Sequence, residues 1–473
     1  MNRYADVTQE VDTGPSGADI AAFFDVDRTL FSQYTAVAFF MELLRSGNLS
    51  PAAIIETVVT SARFELGNTS FEDFFEKSTA DIAGKPIAEL DELGRRLFEK
   101  RLGQDVYPES RALVKAHQRK GHTIVMLTSA TEMQVRPLAE DLGIENVICN
   151  ELEVIDGLIT GKAVEPIIYG TGKLDAAEEF SAKHDIDLGA SYFYSDGSED
   201  IPLLERVGRP RPLNPDRKLR SVARKQRWPA RDFKSRGRPG AADVVRTGLI
   251  GASFFGAMAA AAPVAIMNRS LSQAKDVSTA TFGDFAVALS GIDLHVTGEE
   301  NVWKERPVVF VFNHQSYMDT PILVKLVRGG ITGLAKKELQ RNPVFGPVFS
   351  AAGVIFVDRF DHEKAMQAMQ PALDALEGGT SLVIAPEGHR QATPRIGPFK
   401  KGAFHLAMQA GVPIVPVAMR NPLDAMPRGH YVVRPARVDV AVHAPIPTDS
   451  WRPDSLDAEI AAIRQWFVDF VET

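Results

Sequence analysis

Short apolar runs that end in charged or polar residues recur in both halves of the chain. Runs of this length, bounded by polar residues, are typical of strands buried in a sheet. Between them, apolar positions return at the spacing of one helix face. This alternation predicts an α/β fold in each half of the chain. The runs that predict strands are 21–24, 124–127, 192–195, 292–296, 307–312, 353–357, 381–384, 412–418 and 438–442. The predicted helices are 34–44, 51–64, 70–82, 87–101, 320–327, 365–377, 404–410 and 457–471.

Residues 247–268 contain no charged side chain and lie between Arg246 and Arg269. At about 1.5 Å per residue, a helix of this length just crosses a hydrocarbon core of about 30 Å. The segment is rich in Ala and Gly and contains Pro263, so a span, a re-entrant hairpin and a buried helix are all open. We favour membrane insertion and predict a membrane-associated segment at 244–272.

The stretch before this segment is strongly basic, with ten Lys or Arg and two acidic residues between Asp216 and Arg238. Such a run can bind nucleic acid. It can also bind anionic lipid headgroups, at about 1 kcal/mol per basic residue near the surface, or be a solvated connector. Together with the apolar segment it follows the positive-inside pattern, which places the domain upstream of it in the cytoplasm. We expect the protein at the cell (inner) membrane, with its active domains on the cytoplasmic side. Residues 213–243 are therefore predicted to be a basic linker.

The composition narrows the class of protein. The chain has 473 residues, enough for two or three domains. Its formal net charge of −8 gives the chain as a whole no nucleic-acid signature. The one cysteine, Cys149, excludes a disulfide within the chain and a cysteine metal cluster. The N-terminus is polar, so we expect no signal peptide, and residues 1–19 are predicted to be a mobile tail.

The segment 313–319 carries a histidine and an aspartate directly after the predicted strand 307–312. Asp319 can hold the imidazole of His314 in one tautomer, which would make the histidine a general base. The alternative is structural, a strand-end histidine and an N-cap aspartate. Three further motifs follow in order. They are V-I-F-V-D-R at 354–359, P-E-G-H-R at 386–390 and V-P-I-V-P-V-A at 412–418.

This set of four motifs resembles the glycerolipid acyltransferases of the lysophosphatidate acyltransferase family. The resemblance implies that His314 takes the proton of an acceptor hydroxyl and that Asp319 supports it. The acyl donor would be a thioester, acyl-CoA or acyl carrier protein, which needs no metal. His389 stands where the family has Thr, which could alter the acceptor contacts. Arginine grips phosphate as a planar fork and lysine as a point charge. The residues assigned to the acceptor site are Lys336, Arg359, Glu387, Gly388 and Arg390.

The first half of the chain has its own constellation. Asp25 and Asp27 follow the run 21–24, and further polar residues end the later runs. Ser129 follows the run 124–127, Lys173 opens a predicted helix, and Asp196 and Asp200 follow the run 192–195. The full set is Asp25, Asp27, Ser129, Lys173, Asp196 and Asp200. It resembles the four motifs of the haloacid dehalogenase superfamily, in its phosphoserine-phosphatase-like branch, over about residues 20–210. The resemblance implies a doubly wound Rossmann-like domain with a helical cap at about 31–110.

The resemblance also assigns roles to these residues. Asp25 would attack phosphorus and Asp27 would protonate the leaving oxygen and later activate water. Ser129 and Lys173 would hold the phosphoryl oxygens. Mg²⁺ prefers hard oxygen ligands. The residues assigned to it are Asp25, Asp27 through its carbonyl, Asp196 and Asp200. The alternative is a domain that has kept its shape and lost its activity.

The cap residues weaken the case for phosphoserine as substrate. Tyr34 falls where phosphoserine phosphatases have a glutamate for the substrate ammonium. Ser78 falls near their carboxylate-binding arginine, although Arg63 could substitute for it. A lipid phosphate or another small monoester is therefore as plausible.

The combined prediction is a fusion of two enzymes, similar to fusions in actinobacterial phospholipid synthesis. Residues 20–212 are predicted to be a Mg²⁺-dependent phosphomonoester hydrolase. Residues 273–473 are predicted to acylate the sn-2 hydroxyl of lysophosphatidate, giving phosphatidate. Membrane lipids are the expected partners, and nucleic acid is not. Two alternatives stay open: another lysophospholipid or glycolipid acceptor, and an N-terminal domain that is a phosphoserine phosphatase or a non-catalytic regulatory module.

Overall fold

The structure is a computed structural model that describes residues 4–45, 71–237, 239–341, 346, 350, 353–357 and 370–472. It divides into two compact units, Met1–Arg238 (unit 1) and Pro239–Thr473 (unit 2). Each unit has its own sheet and its own hydrophobic cores.

Unit 1 is built on a parallel sheet of five strands. They are β1 (Ala21–Phe24), β2 (Thr123–Thr131), β3 (Asn146–Asn150), β6 (Tyr192–Ser195) and β7 (Arg209–Pro212), and a separate antiparallel hairpin is formed by β4 (Leu152–Ile155) and β5 (Leu158–Ala163). The sheet order is β3-β2-β1-β6-β7 with every pairing parallel. Phe24 enters the core on one face of the sheet and Phe23 the core on the other. Burial on both faces explains why the run is continuously apolar, and it confirms the doubly wound prediction.

Helices fill the connections of unit 1. They are α1 (Ala5–Thr13), α2 (Thr35–Arg45), α3 (Phe71–Ala80), α4 (Ile87–Lys100), α5 (Pro108–Arg119), α6 (Glu132–Leu142), α7 (Thr171–Lys183), α8 (Ile201–Arg206) and α9 (Arg217–Gln226). Helices α2 to α4 lie between β1 and β2, so the helical cap is confirmed. The predicted helix 51–64 lies outside the described residues.

The mobile tail predicted for residues 1–19 is wrong, because α1 packs on the domain. Val11 is 1% exposed in the core, and Glu10 forms an ion pair with Arg211. Val7 and Val11 are the apolar pair of a helix face, but a single pair in a polar segment is too short a pattern to recognise in advance.

The basic linker predicted for 213–243 is also wrong over most of its length. The side chain of Asp216 caps α9 by accepting from the backbone N–H of Leu219 at 2.7 Å. Leu219 is buried in the core of unit 1. Beyond the helix, Ser235 donates to Glu109, and Arg236 Nε donates to the Gln104 carbonyl at 2.9 Å. The few apolar side chains of the run decide its fold, although charge dominates its composition.

Unit 2 is built on a mixed sheet of seven strands. They are β8 (Asp293–Thr297), β9 (Val309–Phe312), β10 (Ile331–Lys336), β11 (Ile355–Val357), β12 (Ser381–Ile384), β13 (Ile414–Arg420) and β14 (Arg437–Val442). The order is β11-β10-β12-β9-β13-β14-β8, and only the β13–β14 pairing is antiparallel. Val311 faces one core and Phe310 the other. The central strand β9 therefore delivers the residues after Phe312 to the middle of the carboxyl edge.

Unit 2 begins with two long helices, α10 (Ala241–Asn268) and α11 (Leu271–Ser290), which pack against each other. Among the described residues, α10 alone is long and apolar enough to cross a membrane by length and composition. Helix α11 was not predicted from the sequence, whereas the strand predicted at 292–296 corresponds to β8. The remaining helices are α12 (Asp319–Val327), α13 (Lys337–Gln340), α14 (Gln370–Glu377), α15 (Gly402–Ala410), α16 (Pro422–Ala425) and α17 (Leu456–Val471).

Candidate active sites

Strand ends bring the predicted acidic residues of unit 1 together. Asp25 follows β1, and its backbone N–H donates to the Tyr194 carbonyl of β6 at 2.9 Å. Lys173, in the first turn of α7, donates to Asp25 Oδ1 at 2.8 Å and to Asp200 Oδ2 at 2.9 Å. The hydroxyl of Ser195 donates to the same oxygen of Asp200 at 2.6 Å. Asp200 therefore fixes the lysine against the carboxylate that is expected to attack phosphorus.

The charges at this edge are largely desolvated. Burial alone would lower the pKa of Lys173, but the charges of Asp200 and Asp25 outweigh it and the pKa is raised, so the ammonium stays charged. Burial raises the pKa of Asp25 to about 7, and Lys173 opposes the rise. Burial, and then the charge of Asp25, raise the pKa of Asp196 to about 9, although Arg28 Nε lies 3.4 Å from Asp196 Oδ2. The edge thus holds more negative charge than its own cations offset.

A divalent cation would offset this surplus of negative charge. Asp25 and Asp196 offer hard carboxylate oxygens, the ligands that Mg²⁺ prefers. Oδ1 of Asp200 is buried without a hydrogen-bond partner, so an unsatisfied acceptor lies beside them. Across the described parts of the chain, no three acidic, histidine or cysteine side chains converge as a ligand cluster. Backbone oxygen, as expected of Asp27, and water would have to complete the site, as is common for Mg²⁺.

Asp27 is placed to exchange protons. Its Oδ1 accepts from the backbone N–H of Thr35, the first residue of α2, at 2.7 Å. Burial raises the pKa of Asp27 to about 6, with the Thr35 hydrogen bonds opposing. Because part of its population is protonated near neutral pH, Asp27 can donate a proton to a leaving oxygen and take one from water.

The other predicted residues of unit 1 lie as follows. Ser129 lies near the carboxyl end of β2, and its carbonyl accepts from Asn150 Nδ2 at 2.7 Å. Tyr34 is exposed, with its hydroxyl 3.5 Å from Arg28 Nη1. Ser78 lies on α3 of the cap, and Arg63 lies outside the described residues.

The strongest feature of unit 2 is the contact between His314 and Asp319. Nδ1 of His314 lies 2.8 Å from Oδ2 of Asp319. The same oxygen accepts the backbone N–H groups of Gln315 and Ser316, each at 2.8 Å. A carboxylate that only accepts leaves the proton of the neutral imidazole on Nδ1. His314 Nε2 is then the unprotonated atom, free to accept a proton from a substrate hydroxyl, and the side chain is 26% exposed.

Glu387 holds this loop in place from behind. It is buried, and its two carboxylate oxygens accept the backbone N–H groups of His314 and Gly397, both at 2.8 Å. Burial raises its pKa to about 7, and both hydrogen bonds oppose the rise. Gly388 has φ +78°, and a Cβ there would lie 2.9 Å from Lys400 Nζ. Glu387 therefore positions the base, and Gly388 is required by its turn.

Two arginines lie together near the loop of the base, where Gln391, the residue after Arg390, donates its backbone N–H to the His314 carbonyl at 2.8 Å. The guanidinium carbon of Arg390 lies 3.5 Å from the centre of the Tyr317 ring, and its Nη1 is buried without a hydrogen-bond partner. Arg428 Nη1 donates to the Arg390 carbonyl at 3.1 Å. Burial, and then the charge of Arg390, lower the pKa of Arg428. Two adjacent guanidinium groups, one of them with a buried nitrogen that lacks a hydrogen-bond partner, can bind an anionic group between them.

Sequence reasoning missed Arg428. It lies in a loop after β13, outside the four motifs, and the only signal is a cation followed by glycine. The positions of two residues predicted for the acceptor site, Lys336 and Arg359, cannot be compared with the prediction. Lys336 ends β10, but its side chain lies outside the described part of the chain, as does all of Arg359.

Comparison with known proteins adds family matches for both units. Residues 22–205 match the family of haloacid dehalogenase-like hydrolases, and residues 293–420 match the acyltransferase family. Phosphoserine phosphatase SerB1 of Mycobacterium tuberculosis is 31% identical over 224 residues, which cover 46% of this chain and 73% of that protein. The 1-acyl-sn-glycerol-3-phosphate acyltransferase of Saccharomyces cerevisiae is 31% identical over 224 residues, or 47% of this chain and 73% of that protein.

Among solved structures, the acyltransferase PlsC of Thermotoga maritima aligns with 48% of this chain and 95% of its own, with 24% identity and a TM-score of 0.42. The alignment with this chain covers more than two thirds of the length of each of the two sequence relatives. Each relative matches one of the two sites described above. The chain therefore belongs to the haloacid dehalogenase-like hydrolases through its first half and to the acyltransferases through its second.

Proposed function

We propose that unit 2 transfers an acyl group from acyl-CoA or acyl carrier protein to the sn-2 hydroxyl of lysophosphatidate, giving phosphatidate. The observation that carries the proposal is a general base in the same unit as a pair of neighbouring guanidinium groups. His314 and Asp319 supply the base, and Arg390 and Arg428 supply two forks for a phosphomonoester. Lys336 and Arg359 are proposed to join them.

In the reaction, His314 Nε2 takes the proton of the acceptor hydroxyl as its oxygen attacks the thioester carbonyl. The new C–O bond forms, the C–S bond breaks, and the thiol leaves with the proton that the histidine returns. Asp319 stabilises the imidazolium that forms in between. Such a base contributes about 10²- to 10⁴-fold to the rate.

Because the proposed acceptor is a lipid, we expect unit 2 to act at a membrane. Helix α10 is apolar over its uncharged stretch 247–268, and most of its side chains are exposed, including Phe255, Ile266 and Met267. Exposed apolar surface on this scale is typical of a membrane-facing element. We propose that α10 seats unit 2 in the inner membrane by entering the bilayer without crossing it, so that both active sites lie on the cytoplasmic side. The acyl chains then need not leave the bilayer.

We further propose that unit 1 hydrolyses a phosphomonoester with Mg²⁺, held by Asp25, Asp196 and the Asp27 carbonyl. The cation would offset the phosphate charge in the transition state. Asp25 Oδ1 is held by Lys173, which leaves its other oxygen for the attack on phosphorus. Asp27 then protonates the leaving oxygen and later takes a proton from the water that releases phosphate.

The test uses the purified full-length chain in detergent, with lysophosphatidate and either acyl donor, and follows products by mass spectrometry. Phosphatidate formation is expected, and His314→Ala should lower its rate at least about 10²-fold. The exposed His405→Ala of the same unit is the matched control. Full transfer activity in His314→Ala would refute the assignment.

The same protein preparation distinguishes the proposed functions from one alternative for each unit. Acylation of acceptors that lack a free phosphomonoester, at equal efficiency, would favour another lysophospholipid or a glycolipid. For unit 1, Mg²⁺-dependent hydrolysis of an aryl phosphate should disappear in Asp25→Asn. If the unmodified chain does not hydrolyse the aryl phosphate, unit 1 is better explained as a regulatory module. A preference for phosphoserine would identify phosphoserine as the substrate.

A further inference from the structure

Helix α9 carries a concentrated positive charge on the side away from its packing. Residues 217–227 contain six Lys or Arg and no acidic residue, in a chain of net charge −8. Leu219 and Ala223 are buried against unit 1. At 3.6 residues per turn, four exposed cations fall within an arc of about 120° opposite Leu219. These four residues, named the basic face here, are Arg217, Lys218, Arg224 and Lys225.

The basic face has no partner within the described part of the chain. None of its four side chains makes an ion pair or a hydrogen bond with a described residue. Its neighbours differ, since Arg220 pairs with Asp232 at 2.7 Å and Arg231 with Asp6 at 3.3 Å. Like charges one turn apart weaken a helix. The folded domain therefore leaves these four cations exposed and available to bind an anion.

The helix begins at the candidate phosphatase site. The carboxylate of Asp216, its N-cap, accepts the backbone N–H of Ser198 at 3.0 Å, and the backbone N–H of Asp216 donates to the Asp196 carbonyl at 2.9 Å. Whatever binds the basic face is thus held close to the carboxyl edge of the sheet of unit 1.

The chain itself indicates which anion this is. Residues 235 and 236 are anchored to unit 1, and only residues 237–240 separate them from α10, the apolar helix. We propose that the basic face binds the anionic headgroups of a bilayer and holds the catalytic edge of unit 1 at the lipid surface. This inference rests on the proposed membrane seating of α10. A membrane-borne phosphomonoester would then reach Asp25 without leaving the surface.

The experiment measures access to the centre of the basic face. Ser221, exposed and flanked by the four cations on the helical wheel, is changed to cysteine in a Cys149→Ser chain. The full-length protein is reconstituted in phosphatidylcholine vesicles with or without phosphatidylglycerol, and labelled with a membrane-impermeant maleimide. Labelling is expected to slow at least about fivefold on the anionic vesicles, the factor for one basic residue near such a surface. High salt should restore the rate.

Two controls isolate the helix. Changing the four basic-face residues to Gln should abolish the protection, whereas changing four exposed cations elsewhere in unit 1 to Gln should keep it. The latter residues are Lys100, Arg101, Lys162 and Lys183. Ala182→Cys, on the exposed side of α7, should label at one rate on both vesicles.

The other outcomes contradict the proposal in distinguishable ways. Equal labelling on both vesicles, with the protein retained by both, would overturn the role of the basic face and leave the membrane seating of α10 intact. Failure of either vesicle to retain the protein would overturn the seating and this inference together. Protection by an RNA oligonucleotide but not by anionic vesicles would assign the basic face to nucleic acid instead.

Discussion

Arg428 is a guanidinium whose pKa is lowered by burial and by Arg390, with no carboxylate among the described residues to oppose them. If an acceptor phosphate fills this position, Arg428→Gln should raise the KM for lysophosphatidate. A hydrogen bond to a charged group contributes about 1.5–3 kcal/mol, so the rise should be roughly 10- to 100-fold. The kcat should change little, because the base is untouched. Steady-state kinetics with varied acceptor check this.

The matched control for that prediction is Arg452→Gln, an exposed arginine of the same unit, which should leave the KM unchanged. An acceptor without a phosphomonoester is the second comparison. Arg428→Gln should weaken its use far less. An equal loss for both acceptors would mean that Arg428 supports the loop and does not contact phosphate.

His117 makes unit 1 sensitive to acid. Its ring is buried between His122, with an Nδ1–Nδ1 distance of 2.7 Å, and the hydroxyl of Tyr194 at 2.9 Å. Burial, with the charges of His122 and Arg209, lowers its pKa well below the usual 6.5. Just below pH 6.5, His117 becomes protonated in the unfolded chain but stays neutral in the folded chain. The stabilisation is therefore present above pH 6.5 and lost as the pH falls below it, by up to about 1.4 kcal/mol per pH unit.

The expected result is that His117→Gln removes this destabilisation by acid. Urea titrations between pH 7.5 and 5.5, read by hydrogen exchange in the peptide that covers β1, should show that acidification destabilises the unmodified chain relative to His117→Gln. The comparison uses this difference because Asp25, Asp27 and Asp196, whose pKa values are raised, stabilise both proteins as the pH falls. The exposed His184→Gln should keep the original slope. An unchanged slope in His117→Gln would mean that the buried ring is not the acid-sensitive group.

Elements were predictable where an apolar pattern was long or stood beside a motif. Strands β1 and β9 are buried on both faces, so a continuous apolar run located them and their carboxyl ends located Asp25 and His314. Helices α1, α9 and α11 failed for the opposite reason, since each packs through a few small or isolated apolar residues. In α11 the buried positions include Ala280, Gly283 and Ser290, which no hydrophobic pattern marks. Arg428 was missed because its neighbour Arg390 is remote in sequence.

The close packing of α11 on α12 depends on Gly283. A Cβ there would lie 2.6 Å from the backbone nitrogen of Lys325 and 3.0 Å from Val324 Cγ2. Gly283→Ala should therefore push the two helices apart and destabilise unit 2, by about 1–3 kcal/mol as for other overpacked sites. Gly251→Ala in α10 is the matched control, since nothing lies within 4 Å of its Cβ position.

The control should stabilise slightly, because alanine is favoured over glycine inside a helix by about 0.5–1 kcal/mol. Thermal unfolding of both variants in the same detergent distinguishes the two expectations. Equal melting temperatures for Gly283→Ala and Gly251→Ala would contradict the close approach of α11 and α12.

Considered as a whole, the chain contains two folded bodies with separate cores. Phe23 belongs to a core made only of unit 1 residues, and Phe310 to a core made only of unit 2 residues. Cooperative unfolding follows shared burial, so units that share no core should unfold in separate transitions. The motifs alone suggested two enzymes, but only the cores define where each folding unit ends.

Phe23→Ala and Phe310→Ala test this division. Truncation of a fully buried phenylalanine costs about 3–5 kcal/mol, so each variant should lower one calorimetric transition of the full-length chain by several degrees and leave the other in place. Each should also reduce the thermal stability of one activity only, aryl phosphate hydrolysis for Phe23→Ala and acyl transfer for Phe310→Ala. Phe255→Ala, at a ring that is 71% exposed on α10, should move neither transition. A single transition, or a shift of both by one substitution, would show that the two units fold as one because they stabilise each other.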